Sequence, residues 1–280
     1  TFYGQKDLAG LIWENRPPMS AEPVWGLLVS YAGLSREEKL TKVREKMEEA
    51  RADALLVTAL DETAWLLNLR GDDVKHTPVF LAYMFITKRR AILCAQMQAF
   101  SEEIKGELKK AGITILPYES IEEVVASLPA GQRLMADENK VSYRLLHAVS
   151  KGVEKINKPS PVALLKAVKT SREIDHIRSA HVKDGVAVTR FVHWLKTHVG
   201  KEEITEIGAA EKLEEFRCEA EGYLGPSFDP IVAYGPHGAI VHYSATPETD
   251  AALQPKGLCL ADTGGHYSEG TVSYTHLRAH

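Results

Sequence analysis

The segment Lys158-Pro159-Ser160-Pro161, followed by Thr170-Ser171-Arg172-Glu173, divides the chain into two halves with different patterns. Two prolines in four residues are typical of a boundary, because proline lacks a backbone donor and disfavours helix in the residue before it. Thr170 and Glu173 have the spacing of a capping box, which predicts a helix from Ser171. That helix should run to about His198 and end at Gly200, since apolar residues recur at helical spacing: Ile174, Ile177, Val188, Val192, Leu195 and Val199.

Before this boundary, predicted helices alternate with short apolar strands. Ser35-Arg36-Glu37-Glu38 is a second capping box and predicts a helix to about Arg51. Further helices are expected at 102–110, 121–127 and 142–149, and strands at 54–58, 79–83, 91–94, 113–116 and 133–136, with a hairpin turn at Lys88-Arg89-Arg90. This alternation predicts an α/β domain over residues 32–158. Residues 1–31, with prolines at 17, 18 and 23, are expected to form a connector.

After the boundary, the helices come first and the strands second. A helix is expected at 205–217, followed by strands at 231–234, 239–242 and 258–262 and by the glycines Gly264, Gly265 and Gly270. Helices followed by strands predict an α+β domain.

The composition excludes several classes of protein. The chain has 280 residues, 44% hydrophobic and 26% charged, with a formal net charge of -4, which predicts a soluble protein of two domains. The acidic balance argues against nucleic acid as a partner, and no apolar run approaches the ~20 residues that cross a membrane. Cys94, Cys218 and Cys259 are isolated, as expected of free thiols in a reducing cytoplasm. Because the chain starts at Thr1, we expect a processed or truncated start.

Two residues of the second half are candidates for chemistry. Asp262 follows the apolar run Gly257–Ala261, where a carboxylate is costly to bury unless it is paired, hydrogen-bonded or bound to a metal. It could bind a metal, or it could accept hydrogen bonds from turn amides of 263–265. His242 follows the apolar run Ala239–Val241, and could be a core or edge residue or a general acid–base group. His276 and His280 have i, i+4 spacing but no third ligand nearby, which makes them weak candidates for a metal site.

Long segments around these residues resemble the Xaa-Pro aminopeptidase family, also called aminopeptidase P. The resemblance runs from about Trp13 to Thr271 and is carried by the segments 64–71, 78–83, 228–235, 239–246, 262–267 and 270–271. It implies a creatinase-like (RNase H-like) α/β domain followed by the start of an α+β pita-bread domain. It also implies a metallopeptidase that removes the first residue from peptides with proline second, with two divalent ions, most often manganese.

The resemblance assigns separate roles to the two candidates. Asp262 matches the first metal-ligand Asp of the family, and hard carboxylate ligands suit manganese. His242 matches the catalytic histidine that lies by the scissile carbonyl and moves or donates a proton. Family members of this kind are expected to be cytoplasmic homodimers when full length.

The end of the chain departs from the family pattern. Ser273 stands where the family has its second ligand Asp, and residues 272–280 lose the agreement seen up to Thr271. We therefore predict a connector from a missing first domain over 1–31, a creatinase-like domain over 32–158, the N-terminal half of a pita-bread domain over 159–271 and a non-native tail over 272–280. Such a fragment lacks the remaining ligands, so we expect it to be inactive and to bind no metal tightly. The alternatives are a prolidase or creatinase-type hydrolase and a non-catalytic pita-bread binding protein.

Overall fold

The computed structural model describes the backbone of residues 8–279 and the side chains of residues 8–275. Within that range the helices are α1 (Leu8–Ile12), α2 (Val29–Ala32), α3 (Arg36–Glu49), α4 (Leu60–Leu67), α5 (Glu102–Lys110), α6 (Ile121–Ala126), α7 (Tyr143–Ala148), α8 (Pro161–Ala167), α9 (Ser171–His198) and α10 (Glu206–Cys218). The strands are β1 (Trp25–Gly26), β2 (Ala54–Val57), β3 (Leu69–Arg70), β4 (Ala82–Thr87), β5 (Ala91–Ala95), β6 (Ile113–Pro117), β7 (Arg133–Ala136), β8 (Glu154–Asn157), β9 (Tyr223–Pro226), β10 (Ile231–Tyr234), β11 (Leu258–Tyr267) and β12 (Gly270–Ala279). Short 3₁₀ helices lie at Met97–Ala99, Tyr118–Ser120 and Gly235–Ala239.

The first domain is built on a six-stranded mixed sheet of order β6-β5-β4-β2-β7-β8. The pairs β2/β4 and β4/β5 are antiparallel, and the pairs β5/β6, β2/β7 and β7/β8 are parallel. One apolar cluster contains the buried residues of α3, α4 and α5, and a second contains those of α6 and α7. Helices therefore cover both faces of the sheet, which confirms the predicted α/β class.

Local signals explain most elements of this domain. Ser35 and Glu38 form both hydrogen bonds of the capping box that starts α3, and the predicted hairpin joins β4 to β5. The sequence did not predict α4, because its residues 62–67 are all buried and leave no polar face to mark a helical period. The edge strand β8 was missed for the opposite reason, since three of its four residues are exposed.

Segments beyond the predicted limits of the first domain pack against it. Helix α8 contacts α3 and α4, and its Val162 is fully buried in the first apolar cluster together with Val24. Strand β1 pairs with β3. The limits at residues 31 and 158 remain predictions, but the core itself includes residues on both sides of them.

The second domain packs α9 and α10 against a small antiparallel sheet. Thr170 and Glu173 form the predicted capping box, and α9 runs for 28 residues. Strand β11 lies between β12 on one side and both β9 and β10 on the other. The predicted strand 231–234 is confirmed as β10, and the strand predicted at 258–262 continues to Tyr267. Among the described residues, no helix is long and apolar enough to span a membrane.

Candidate functional site

Asp262 lies in the middle of β11. Its backbone pairs with Ile231 of β10 and Thr275 of β12, and its side chain is half-buried. Among the described side chains, none forms a hydrogen bond or ion pair with its carboxylate. Residues 263–265 continue the strand, so the alternative in which turn amides satisfy Asp262 is wrong. The carboxylate is thus held on a rigid strand and remains available to a ligand.

The glycines that follow Asp262 are required by close packing. A Cβ on Gly264 would clash with the Ser227 hydroxyl and the Val272 carbonyl oxygen. A Cβ on Gly265 would lie 2.9 Å from the Tyr223 ring and 3.2 Å from the Asp184 carboxylate. The pair therefore lets β9, β12 and α9 approach the strand that carries Asp262, and it has no phosphate-binding geometry because the backbone is extended.

A buried ionic network joins α9 and α10 to β11, the strand that carries Asp262. Arg217 of α10 donates to both carboxylate oxygens of Asp184 of α9, at 2.9 and 3.1 Å. It also donates to the Thr263 hydroxyl and to the Gly264 carbonyl oxygen. The Tyr267 hydroxyl donates to Asp184 at 2.7 Å, and burial together with this carboxylate raises the pKa of Tyr267. Sequence analysis missed this network, although Asp184 lies at helical spacing between the apolar residues Ile177 and Val188, where a carboxylate would need a partner if buried.

His242 does not lie in a strand, and the strand predicted at 239–242 is wrong. The segment forms a 3₁₀ helix, Gly235–Ala239, and then a turn in which His242 is exposed with a φ of 55°. Pro236 and two glycines favour this irregular path over a sheet. Ile240 and Val241 are 54% and 83% exposed, so the apolar run that suggested a strand is not buried by the described residues. A non-glycine residue in this left-handed conformation costs about 1–3 kcal/mol and is often found at functional sites.

No hydrogen bond or ion pair joins His242 to Asp262 among the described residues. Asp262 pairs with the first residue of β10, Ile231, whereas His242 belongs to the loop that follows the last residue of β10, Tyr234. Both residues are therefore carried by the β10–β11 unit, Asp262 within the sheet and His242 on the connecting loop.

A buried carboxylate that the sequence analysis missed lies at the base of the His242 loop. Glu206, the first residue of α10, is 1% exposed. It accepts hydrogen bonds from the Tyr234 amide, from Nδ1 of His237 and from the Tyr243 hydroxyl, at 2.6, 2.9 and 2.7 Å. The only sequence signal was a carboxylate directly after the N-cap residue Thr205, a position where acidic residues are common for other reasons.

The side chains present do not fit a pair of metal ions. Within residues 8–275 no group of three or more His, Cys, Asp or Glu residues could hold an ion. The β11–β12 register puts Thr275 opposite Asp262 and Ser273 opposite Gly264, all on the same face, so these strands offer one carboxylate and two hydroxyls around Asp262. His266 is engaged elsewhere, through Thr271 and the His76 carbonyl oxygen. The His276 side chain and His280 lie outside the described residues.

A loop of the first domain contacts the second domain beside this sheet. Nε2 of His76 lies 2.9 Å from Asp229, and Nδ1 lies 3.2 Å from the Pro226 carbonyl oxygen. Lys75 also donates to Asp229, at 2.7 Å, and the hydrogen bonds from Lys75 and His76 lower the pKa of Asp229. His266 of β11 returns a contact to His76. The first domain is therefore attached to the strands that position Asp262, and a cleft of about 460 Å³ lies between the domains.

Comparisons with known proteins agree with this two-domain arrangement. Residues 15–173 match the family described as creatinase/prolidase N-terminal domain, and residues 175–276 match metallopeptidase family M24. The chain is similar to a probable Xaa-Pro aminopeptidase P of Sordaria macrospora (36% identity, 96% of this chain, 46% of the relative). It is also similar to Xaa-Pro aminopeptidase 2 of Sus scrofa (34% identity, 96% and 41%).

The chain is also similar in structure to solved enzymes with the same two-domain fold. An X-prolyl aminopeptidase of Caenorhabditis elegans, described as a cytosolic enzyme with a di-nuclear active site, superposes with a TM-score of 0.91 at 27% identity. The match covers 98% of this chain and 46% of that one. A Bacillus anthracis Xaa-Pro dipeptidase shares the fold at 21% identity, with a TM-score of 0.65 over 88% of this chain and 65% of that one. The chain thus spans less than half the length of the curated relatives named above.

Proposed function

The chain belongs to the creatinase/prolidase family, and from this membership we propose that it is part of an Xaa-Pro aminopeptidase. The whole protein would release the N-terminal residue from peptides with proline at the second position. We further propose that it is a cytoplasmic homodimer that uses two divalent ions, and that these are manganese, which hard oxygen ligands favour.

One observation carries this proposal over its closest rival. Relatives named as Xaa-Pro aminopeptidases are 34–36% identical to the chain over at least 94% of it. The dipeptidase and prolidase structures are 19–22% identical, a level at which they support the fold and leave the substrate open. The aminopeptidase is therefore the better supported of the two functions.

Two residues of this chain are proposed to act in that enzyme. Asp262 would supply one ligand to the metal centre, which is consistent with a half-buried carboxylate on a rigid strand with no partner among the described side chains. His242 would hold or donate a proton near the scissile carbonyl, which is consistent with an exposed histidine in a left-handed turn.

The 280-residue chain by itself is proposed to be inactive. The Asp262 carboxylate with the hydroxyls of Ser273 and Thr275 on the same face provides too few charged ligands for tight manganese binding. We expect isothermal titration calorimetry with MnCl₂ to show no stoichiometric site and a peptidase assay to show no cleavage of an Xaa-Pro peptide. One tight site per chain would contradict this and would make His266 a candidate ligand.

The proposed activity is tested in a complete protein. Residues 1–271 would be joined to the C-terminal half of the M24 domain of the Sordaria relative, and metal content and cleavage would be measured. Asp262→Ala should lower both. His242→Ala should keep the metal and reduce the rate by about 10²–10⁴-fold. His193→Ala, at an exposed histidine of α9, is the matched control and should change neither.

Specificity separates the alternatives. Xaa-Pro peptides of three or more residues should be cleaved much faster than Xaa-Ala peptides. Preference for Xaa-Pro dipeptides would replace the proposal with a prolidase. Full metal loading without any cleavage would favour a non-catalytic binding protein, and loss of metal in His242→Ala would refute the role given to that residue.

A further inference from the structure

The loop that carries His242 is attached to one buried carboxylate on both sides of the histidine. On the N-terminal side, Glu206 accepts hydrogen bonds from the Tyr234 amide and from Nδ1 of His237. On the C-terminal side, it accepts one from the hydroxyl of Tyr243, the residue directly after His242. The His237 and Tyr243 rings also stack, with centroids 4.7 Å apart. Both ends of the segment 237–243 are thereby hydrogen-bonded to Glu206.

The carboxylate is suited to this role because it only accepts hydrogen bonds. Its two oxygens provide about four lone-pair sites, and the groups around them are all donors: two backbone amides, an imidazole N–H and a hydroxyl, with the Ala251 amide at 3.3 Å as the second amide. An amide side chain of the same shape would direct an NH₂ group at some of these donors. A buried donor that loses its acceptor is left without a hydrogen bond, which destabilises the arrangement that buries it.

Besides Glu206, the segment is held by packing of its 3₁₀ helix against β10 and β11, and the Tyr243 hydroxyl lies 3.5 Å from the Thr249 carbonyl oxygen. Ile240 and Val241 are mostly exposed, and His242 makes no hydrogen bond with the described residues. After the 3₁₀ helix, the Ile240 amide donates to the His237 carbonyl oxygen. Residues 250–253, further along the loop, are attached separately. The Leu253 amide donates to the Ile204 carbonyl oxygen, and the Asp250 carboxylate accepts from the Ile207 amide. Glu206 therefore joins the residues on both sides of the left-handed His242.

We infer that Glu206 is a positioning residue for His242, acting through His237 and Tyr243 at the two ends of its turn. This inference rests on the catalytic role proposed above for His242. Glu206 is not a catalytic residue, since it is 1% exposed and contacts His237 and Tyr243 rather than His242.

The first test measures the turn itself in the 280-residue chain, independently of any activity. Glu206→Gln should raise amide hydrogen exchange at least 10-fold at the hydrogen-bonded amides of residues 237–243, among them that of Ile240, and exchange in β11 should not change. Tyr243→Phe, which removes only the hydroxyl, should give a smaller change confined to the same segment. Glu211→Gln is the matched control, because Glu211 is exposed on the same helix. Unchanged exchange in Glu206→Gln would overturn the inference, as would loosening of the whole domain in both variants.

The second test asks in the complete protein whether Glu206 acts through His242. Glu206→Gln and Tyr243→Phe should each lower kcat by about 10-fold or more with metal content and KM nearly unchanged, since a misplaced group can cost up to ~10²-fold. Glu206→Gln combined with His242→Ala should be no slower than His242→Ala alone. If the rate losses of the two single variants multiply in the combined variant, Glu206 acts independently of His242 and the inference is overturned.

The two tests separate the inference from the proposed function. If the complete wild-type protein cleaves no Xaa-Pro peptide, the proposed function fails, and the exchange measurement still decides whether Glu206 holds the turn. If the protein is active but the combined variant shows multiplied losses, the proposed function stands and the role of Glu206 is refuted.

Discussion

Lys39 should make the stability of the first domain rise with pH above neutrality. Its side chain is 1% exposed, and Nζ donates to the Trp65 carbonyl oxygen at 2.9 Å and to Asn68 at 2.5 Å, with the Trp65 ring centroid 4.2 Å away. Burial lowers the pKa of Lys39 to about 7, while the charge of Glu173 opposes that change and Arg70 adds to it. The ammonium ion is therefore harder to accommodate in the folded protein than in water.

The sign follows from the protons bound in each state. The folded protein releases this proton near pH 7, and the unfolded chain keeps it up to the ordinary value of 10.5. Between these values the unfolded chain binds more protons, so the free energy of unfolding increases with pH. At about 1.4 kcal/mol per pKa unit, the free energy of unfolding should increase by at most about 5 kcal/mol between pH 7 and the ordinary pKa of lysine. Below pH 7 the folded protein carries the full cost of burying the charge.

Urea unfolding followed by tryptophan fluorescence, at pH values from 6 to 10, measures this effect. Lys39→Met removes the titrating group. The free energy of unfolding of the wild type minus that of the variant should therefore increase by up to about 1.4 kcal/mol per pH unit above pH 7. Lys42→Met, at an exposed position of the same helix, should follow the wild type. A pH-independent difference, or a Lys39 ¹³Cε resonance that titrates near pH 10, would refute the reasoning.

Three further predictions concern packing. Asp184→Ala should lower the free energy of unfolding by about 3–5 kcal/mol in urea, because it leaves Arg217 buried without its partner; a loss under 1 kcal/mol would contradict this. Gly265→Ala should lower the melting temperature, since its Cβ meets the Tyr223 ring at 2.9 Å, whereas Gly106→Ala in α5, with open space around it, should raise it slightly; equal shifts would be inconsistent with the packing. A protein ending at residue 158 should be less stable than one ending at 170 by at least about 2 kcal/mol, because Val162 is fully buried in the first core; equal urea midpoints would restore the boundary at 158.

Local signals were sufficient for much of the fold. Ser35 and Thr170 cap α3 and α9 as predicted, because a capping box is satisfied within four residues and needs no distant partner. Alternating helices and strands likewise predicted the α/β class, since each pattern reports which face of its own element is buried. Helix α4 was missed because burial on all sides leaves no such pattern.

The sequence predicted one part of the candidate site and missed another. The residue types and their order around Asp262 and His242 are visible in the amino-acid sequence, and they are sufficient to indicate a family. The sequence could not show that Asp262 lies within a continuing strand, because sheet pairing joins it to Ile231 and Thr275 from separate segments. It predicted a strand at His242, where an exposed turn forms instead.

The supporting contacts were decided only by the tertiary structure. Arg217 meets Asp184 across 33 residues, and Tyr243 meets Glu206 across 37. No periodicity or local motif encodes such pairs, because each depends on how α9, α10 and the sheet pack together. The sequence thus determined which residues are available for chemistry and which segments become helices, whereas packing determined which polar groups are buried together and how they hold the residues proposed to act.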